Sequence, residues 1–301
     1  MNQVKVERFG PFPQVSRPVF MVSAALIVGF IVFGALFNEV AAALFSELQS
    51  MITHRFRWLF VILMNSALVF SLYLALSRFG DIRLGQQTEH PEYSLLSWFS
   101  MLFSAGIGIG LLYWGTAEPL YHFMAPPMGQ AQTVEAAKQA MNLSFLHWGL
   151  HAWALYCVVA LALAYFHYRR GLPLSIRSVL YPLLGQKIYG KWGHVVDILA
   201  VFGTMFGVVT SLGLGVMQIN AGFSSVLGIP NNITVQLGLI AFITLMATLS
   251  VMMGLDKGIK RLSDINILLT MLLLAFMIFL GPTQFIIDSF VENIGNYLTQ
   301  L

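Results

Sequence analysis

Three aromatic residues in the middle of the chain have the types and spacing that could bind a cation. Trp148, Trp153 and Tyr156 belong to the segment HWGLHAWALY. On a regular helix, at about 100° per residue, Trp153 lies about 140° and Tyr156 about 80° from Trp148, so one side holds all three rings. Ring faces bind a quaternary ammonium well, because that group has no N–H to donate. An interfacial aromatic belt is the alternative, although Trp153 and Tyr156 lie deeper than a belt predicts.

A second pattern is glycine at alternate positions, Gly106, Gly108 and Gly110, inside an apolar segment. Each glycine in a helix interior costs about 1 kcal/mol relative to alanine, so the three predict a break in the helix. In a bilayer, unwound backbone is tolerated only where protein or a wet cavity surrounds it. Its carbonyl groups can then bind a small cation, and its amide groups can face a carboxylate. Close helix packing through small residues is the alternative.

Two histidines, His147 and His151, have the i, i+4 spacing of paired metal ligands on one helix. No Glu follows His147 and no third ligand is evident, so the pattern favours packing or hydrogen-bonding histidines and predicts no metal site. Proton coupling through a histidine near the membrane interface is a further alternative. Two carboxylates, Glu118 and Asp197, lie at the ends of apolar segments, and neither is assigned a catalytic role.

A polar residue recurs every seven positions in a later apolar segment, at Asp197, Thr204, Ser211 and Gln218. A seven-residue repeat drifts by only about 20° per step on a helix, so these residues form one stripe. A polar stripe on a membrane helix faces protein or a cavity rather than lipid. Hydrogen bonding between helices explains the stripe equally well.

The elements that position these residues are predicted to be membrane-spanning helices. Of the 301 residues, 57% are hydrophobic and 10% are charged, which excludes a cytosolic globular enzyme. The basic residues belong to loops, so the net charge of +3 does not indicate nucleic-acid binding. About 20 apolar residues cross a bilayer. The predicted spans are Pro18 to Phe37, Trp58 to Leu76, Leu96 to Leu120, Met141 to Tyr168, His194 to Val226, Ile233 to Met253 and Ile265 to Leu280.

The distribution of basic residues predicts the orientation. Of the 16 Lys and Arg residues, all except Arg55, Arg57 and Lys138 belong to the N-terminal tail and the loops on the same side as that tail. The positive-inside rule places this side in the cytoplasm, so the N-terminus is inside and Leu301 outside. After the seventh span, Phe290, Ile294, Tyr297 and Leu298 have helical spacing, which predicts an amphipathic helix on the outer surface. We expect the chain to continue beyond this helix.

Three segments carry a resemblance to the betaine/choline/carnitine transporter family. Met101 to Phe123, MLFSAGIGIGLLYWGTAEPLYHF, resembles the third span of that family; His147 to Tyr156 resembles the fourth span, and Asp197 to Gly222 the fifth. The likeness implies an all-α polytopic membrane protein with the leucine-transporter-like fold, in which spans 3 to 7 and 8 to 12 of twelve form inverted repeats. Residues 1–95 would then be the N-terminal tail and two peripheral helices, 96–282 the first repeat, and 283–301 the start of the amphipathic helix.

The resemblance also implies roles for individual residues. Trp148, Trp153 and Tyr156 would form part of an aromatic box around a trimethylammonium group, whose remaining tryptophans belong to the absent eighth span. The backbone of the glycine segment would face the substrate carboxylate, through Ala105, Ile107, Gly108, Ile109 and Gly110. The carbonyls of Ser104 and Ile107 would match part of one sodium site, and the Thr204 hydroxyl part of a second. Val208 occupies a position where sodium-coupled members can have threonine.

The resemblance therefore predicts a transporter rather than an enzyme, with no cofactor and with Na⁺ or H⁺ as the coupling ion. Glycine at 110, where some choline-taking members carry aspartate, favours a zwitterion such as glycine betaine over choline, because a carboxylate there would repel that of the substrate; choline and carnitine are the other candidates. The expected setting is the bacterial inner membrane, and a homotrimer is compatible with the family. An exchanger without ion coupling and a non-transporting binding or sensor module remain alternatives.

Overall fold

The described chain is helical apart from a short antiparallel pair near the N-terminus. A computed structural model describes residues 7–9, 12–106 and 109–300. Strand β1, Glu7–Phe9, pairs with β2, Phe12–Val15, with Glu7 opposite Val15 and Phe9 opposite Phe12. The predicted fold class of a helical membrane protein is confirmed for the rest of the described chain, and the small strand pair adds to it.

The α-helices of the described residues are joined by connections that range from one residue, between α5 and α6, to 18 residues, between α2 and α3. They are α1 Arg17–Leu36, α2 Asn38–Leu76, α3 Leu95–Gly106, α4 Ile109–Met124, α5 Val134–Trp148, α6 Leu150–Ala164, α7 Ile176–Val179, α8 Tyr181–Leu184, α9 Lys191–Leu227, α10 Ile233–Met252, α11 Lys260–Leu280 and α12 Thr283–Thr299. Side-chain caps begin two of them: Thr133 accepts from the backbone N–H of Ala136 at the start of α5, and Asn232 accepts from that of Val235 at the start of α10.

Six helical segments of the described chain are long and apolar enough to cross a membrane. They are Arg17–Leu36, Asn38–Leu76, Val134–Arg169, Lys191–Leu227, Ile233–Met252 and Leu255–Leu280. They correspond to predicted spans 1, 2 and 4 to 7. The third predicted span is described as α3 with 12 residues and α4 with 16, on either side of Ile107 and Gly108, which lie outside the described residues. The count of seven spans and the orientation therefore stay predictions.

Several helices extend well beyond their apolar stretches. The second predicted span starts at Trp58, whereas α2 starts at Asn38 and has 39 residues. At about 1.5 Å per residue the helix is about 58 Å long, almost twice the hydrocarbon thickness. The added residues, 38–57, contain no Gly or Pro and include three Ala, two Leu and two Glu, which favour helix. Polar residues such as Arg55 end the apolar stretch without ending the helix.

The chain divides into two compact units. The first comprises Met1–Glu89 and Leu150–Gly207, and the second His90–Gly149 and Val208–Leu301. In the first unit α2 packs against α6, and Phe30 of α1 contacts the rings of Phe45 and Phe206 at centroid distances of 5.2 and 4.8 Å. In the second unit α4 packs against α5, α3 against α11, and α12 against α5. The predicted domain boundaries at 95 and 282 stay predictions.

A buried arginine joins the loop after α6 to the start of α9 in the first unit. The Arg177 side chain is 0% exposed. Its Nε and Nη2 donate to Oδ2 of Asp197 at 2.7 and 2.6 Å, and its Nη1 donates to the carbonyl of Ile188 at 3.2 Å. Gly193 makes this approach possible, because a Cβ at that position would overlap the same carbonyl. Asp197, the first residue of the predicted polar stripe, therefore anchors a loop.

Replacing Arg177 by Ala should destabilise the protein strongly. The change leaves Asp197 without its charge partner, and breaking a buried ion pair from one side costs about 3–5 kcal/mol. The matched control is Lys138→Ala, which removes an exposed ion pair with Glu292 at 3.6 Å and should cost at most about 1 kcal/mol. Denaturant unfolding of the two purified variants in detergent gives both free energies. Equal losses would contradict a structural role for the buried pair.

Candidate functional site: aromatic rings around a broken fourth span

Two of the three predicted box residues contact each other on α6 in the first unit. The ring centroids of Trp153 and Tyr156 are 5.7 Å apart, with an interplanar angle of 43°. Trp153 is 40% exposed and Tyr156 70% exposed, so both rings have faces open to a ligand. Two tilted, accessible rings are a geometry that a cation without hydrogen-bond donors can use.

The third predicted box residue, Trp148, lies on the other side of a helix break. Helix α5 ends at Trp148 and α6 begins at Leu150, with Gly149 between them at φ −93° and ψ −146°. Three rings share one helical face only if the helix is unbroken, and the helix is interrupted at Gly149. Trp148 belongs to the second unit and the other two rings to the first. The shared binding wall stays a prediction.

The Trp148 indole is held by a buried carboxylate from α4. Its Nε1–H donates to Oε2 of Glu118 at 2.7 Å, and Glu118 is only 7% exposed. The Nδ1 of His147 lies 2.9 Å from both oxygens of the same carboxylate, and Nε2 of His122 lies 3.5 Å from Oε1. Hydrogen bonds to a charged group contribute about 1.5–3 kcal/mol each. This cluster therefore fixes the end of α5 to α4.

The sequence shows where Glu118 lies but not what it contacts. A carboxylate at the end of an apolar segment marks a candidate site, and His122 one helical turn later was a further signal. The contacts with His147 and Trp148 join residues 29 and 30 positions away. They depend on which helices pack together, and residue spacing within one helix does not predict that pairing.

The second histidine of the predicted i, i+4 pair has a different environment. His151, buried on α6, places its Nε2 3.3 Å from Oδ1 of Asn65 on α2. Asn65 also donates through Nδ2 to the carbonyl of Val61 at 2.8 Å. His147 faces Glu118 in the second unit. Both histidines thus make hydrogen bonds to side chains of neighbouring helices.

The glycine segment lies between α3, which ends at Gly106, and α4, which begins at Ile109. Ile107 and Gly108 lie outside the described residues, and for Ile109 and Gly110 only the helical backbone is described. Ala105, the residue before Gly106, is exposed on α3. The predicted break and the predicted carboxylate contacts of this segment therefore stay predictions.

The predicted ion ligand Ser104 is tied to α11 through its side chain. Its hydroxyl accepts from Nδ2 of Asn266 at 3.1 Å and donates to the carbonyl of Ser263 at 3.4 Å. Only the backbone carbonyl of Ser104 was predicted to bind an ion, so these bonds leave that prediction untested. They do fix the last turn of α3 against α11, next to the glycine segment.

The polar stripe on α9 has a different environment at each position. Thr204, the predicted ligand of a second ion site, is exposed, and Ser211 is exposed as well. Among the described residues, Oε1 of Gln218 is buried and has no hydrogen-bond partner. Asp197 binds Arg177 as described above. The stripe is therefore not used as one continuous hydrogen-bonding surface.

The fold and the site define a polytopic α-helical membrane protein with aromatic side chains next to a helix break. The chain belongs to the betaine/carnitine/choline family of transporters, whose family model matches residues 18–301. The predicted family is confirmed.

Three relatives illustrate the similarity. The glycine betaine transporter OpuD of Bacillus subtilis is 44% identical over 284 residues, 94% of this chain and 56% of its own length. The high-affinity choline transport protein of Escherichia coli K12 is 43% identical over 95% of this chain and 42% of its own length. The osmo-dependent choline transporter BetT2 of Acinetobacter baylyi is 43% identical over 96% of this chain and 42% of its own length. The chain thus spans about half the length of these relatives.

Replacing Gly149 by Ala should destabilise the second unit. A Cβ there would overlap the carbonyl of Phe145 and lie 3.0 Å from the hydroxyl of Tyr297, a buried residue of α12. Overpacking of this kind costs about 1–3 kcal/mol. The matched control is Gly295→Ala on α12, where a Cβ meets nothing within 4 Å and the higher helix propensity of alanine should stabilise slightly. Thermal unfolding of both variants in detergent measures the difference, and a neutral Gly149→Ala would contradict the packing argument.

Proposed function

We propose that the protein is a secondary active transporter that imports a quaternary-ammonium osmolyte across the bacterial inner membrane by alternating access. The observation that carries the proposal is the pair of accessible rings, Trp153 and Tyr156, in a chain of this family. Relatives named as glycine betaine and choline transporters, 43–44% identical to this chain, support the substrate class.

The chemistry of the substrate explains why rings are suitable ligands. A trimethylammonium group is permanently charged and cannot donate a conventional N–H hydrogen bond, so water solvates it weakly compared with a primary amine. Each ring face contributes about 0.5–2 kcal/mol to binding such a cation, and the contribution is largest in a desolvated site. A carboxylate ligand would bind metal ions and primary amines as well, whereas rings favour the bulky, weakly hydrated cation.

Glycine betaine is the preferred substrate in this proposal, with choline and carnitine as the other candidates. Position 110 is glycine, so no side-chain carboxylate there repels the carboxylate of a zwitterionic substrate. The coupling ion is Na⁺, with the carbonyls of Ser104 and Ile107 and the hydroxyl of Thr204 among its ligands. Val208 offers no oxygen where a second hydroxyl would be expected, and this favours H⁺ coupling or exchange as the second candidate.

Expression from the native gene in cells that lack betaine uptake should produce saturable uptake of labelled glycine betaine. Uptake should fall to the empty-vector level when the Na⁺ gradient is removed, because no other gradient drives the step. Stimulation by internal betaine with no Na⁺ effect would support exchange instead. Uptake of choline but not betaine would contradict the preferred substrate. Vesicles containing only the 301-residue chain test the module alternative, for which we would observe binding without uptake.

Replacing Trp153 by Leu should raise the KM for betaine uptake about 5- to 30-fold, because the cation loses one ring face worth about 1–2 kcal/mol. The helix keeps an apolar residue, so the amount of protein in the membrane should not change. The matched control is Trp58→Leu, which removes an exposed tryptophan from α2 and should leave KM unchanged. An unchanged KM in the Trp153 variant would refute the assignment of this ring to the substrate.

A further inference from the structure

We propose that Glu118 is the positioning residue of Trp148, and that its carboxylate sets the affinity for substrate by fixing the indole ring next to the helix break. The inference rests on the proposed function and on the prediction from the family resemblance that Trp148 is one of the rings around the ammonium group. It adds Glu118 of α4 and assigns this residue a role through the indole N–H of Trp148.

The first argument is geometric. The indole of Trp148 has a single N–H, and that group points at Oε2 of Glu118 at 2.7 Å. A hydrogen bond of this length to a carboxylate fixes both the position of the nitrogen and the direction in which the ring plane extends. Glu118 is 7% exposed, so water competes little for the carboxylate oxygen. The ring therefore has one preferred orientation.

The second argument concerns the covalent connection of Trp148. It is the last residue of α5, and Gly149 follows it outside helical geometry. Helical side chains lean toward the helix N-terminus, so residues one turn later normally pack against a side chain and restrict it, and α5 has no such residues after Trp148. The contact with α4 supplies that restriction from outside the helix. A terminal aromatic residue that must present a fixed face to a ligand needs such an external partner.

The third argument is that the carboxylate is itself held from two other directions. His147 Nδ1 lies 2.9 Å from each oxygen, and His122 Nε2 lies 3.5 Å from Oε1. A carboxylate accepts hydrogen bonds only, so the ring nitrogen of His147 that faces it carries the hydrogen. Glu118 is therefore restrained before it restrains the indole. Its negative charge also polarises the indole N–H, which makes the ring face a better partner for a cation.

A purely structural role for Glu118, joining α4 to α5, makes a different prediction about affinity. Such a role would lower the amount of folded transporter and reduce the maximal uptake rate. Coupling between Glu118 and the indole N–H would then appear in the amount of folded protein and not in KM. A double-mutant cycle with Trp148→Phe separates the two roles, because phenylalanine keeps a ring face and removes the hydrogen-bond donor.

The experiment measures KM and maximal rate for betaine uptake, normalised to the protein in the membrane, for the transporter expressed from its native gene. Glu118→Ala should raise KM about 10-fold, and Glu118→Gln, which keeps an acceptor oxygen without the charge, should raise it about 2- to 4-fold. In the Trp148→Phe background, each Glu118 substitution should change KM by less than about 2-fold. The control Glu292→Ala removes an exposed carboxylate and should leave KM unchanged.

An effect of Glu118→Ala on KM that is equally large with Phe at position 148 would overturn the proposal, as would an unchanged KM in the single variant. If the alanine variant does not reach the membrane, the same cycle with Glu118→Gln decides, because coupling to position 148 is the diagnostic quantity. Absence of betaine uptake by the unmodified transporter would count against the proposed function. Normal uptake with no coupling would count against Glu118 alone.

Discussion

The hydrocarbon core of a membrane offers no hydrogen-bond partners, so every interruption of a helix must be compensated by nearby protein groups. Two groups of polar side chains in the second unit lie at helix ends. Next to Gly149, where α5 ends, the carboxylate of Glu118 contacts His147 and Trp148. In the last turn of α3, Ser104 bonds with Asn266 and with the carbonyl of Ser263. Both groups tie a helix end to a neighbouring helix through side chains.

The aromatic residues of the candidate site are fixed in two different ways as a result. Trp153 and Tyr156 lie within one regular helix, three positions apart, and restrain each other by ring contact. Trp148 lies at a helix end and depends on a partner from another helix. Trp153 and Tyr156 therefore owe their relative orientation to helix geometry, whereas the orientation of Trp148 depends on an electrostatic contact with Glu118.

Hydropathy predicted the positions of six spanning helices because a bilayer imposes a length and a polarity that the sequence displays directly. It did not predict the bounds of these helices. Helix α2 begins 20 residues before its apolar stretch, and those residues include several of high helix propensity. The strand pair at Glu7–Phe9 and Phe12–Val15 was also missed, since strands of three and four residues leave little periodic signal. Length and polarity therefore identify the spans, and local propensity decides their ends.

The candidate site was predictable only in part, for a related reason. Trp153 and Tyr156 could be paired from the sequence because both belong to one helix, whose geometry fixes their separation. The same geometry does not hold for Trp148, because Gly149 interrupts the helix between Trp148 and the other two rings. The partners of Glu118, Arg177 and Ser104 come from other segments of the chain, and a spacing rule holds only within a continuous element. The aromatic residues thus indicated the chemistry, while the groups that hold the end of α5 and the last turn of α3 became visible only once the helices were packed together.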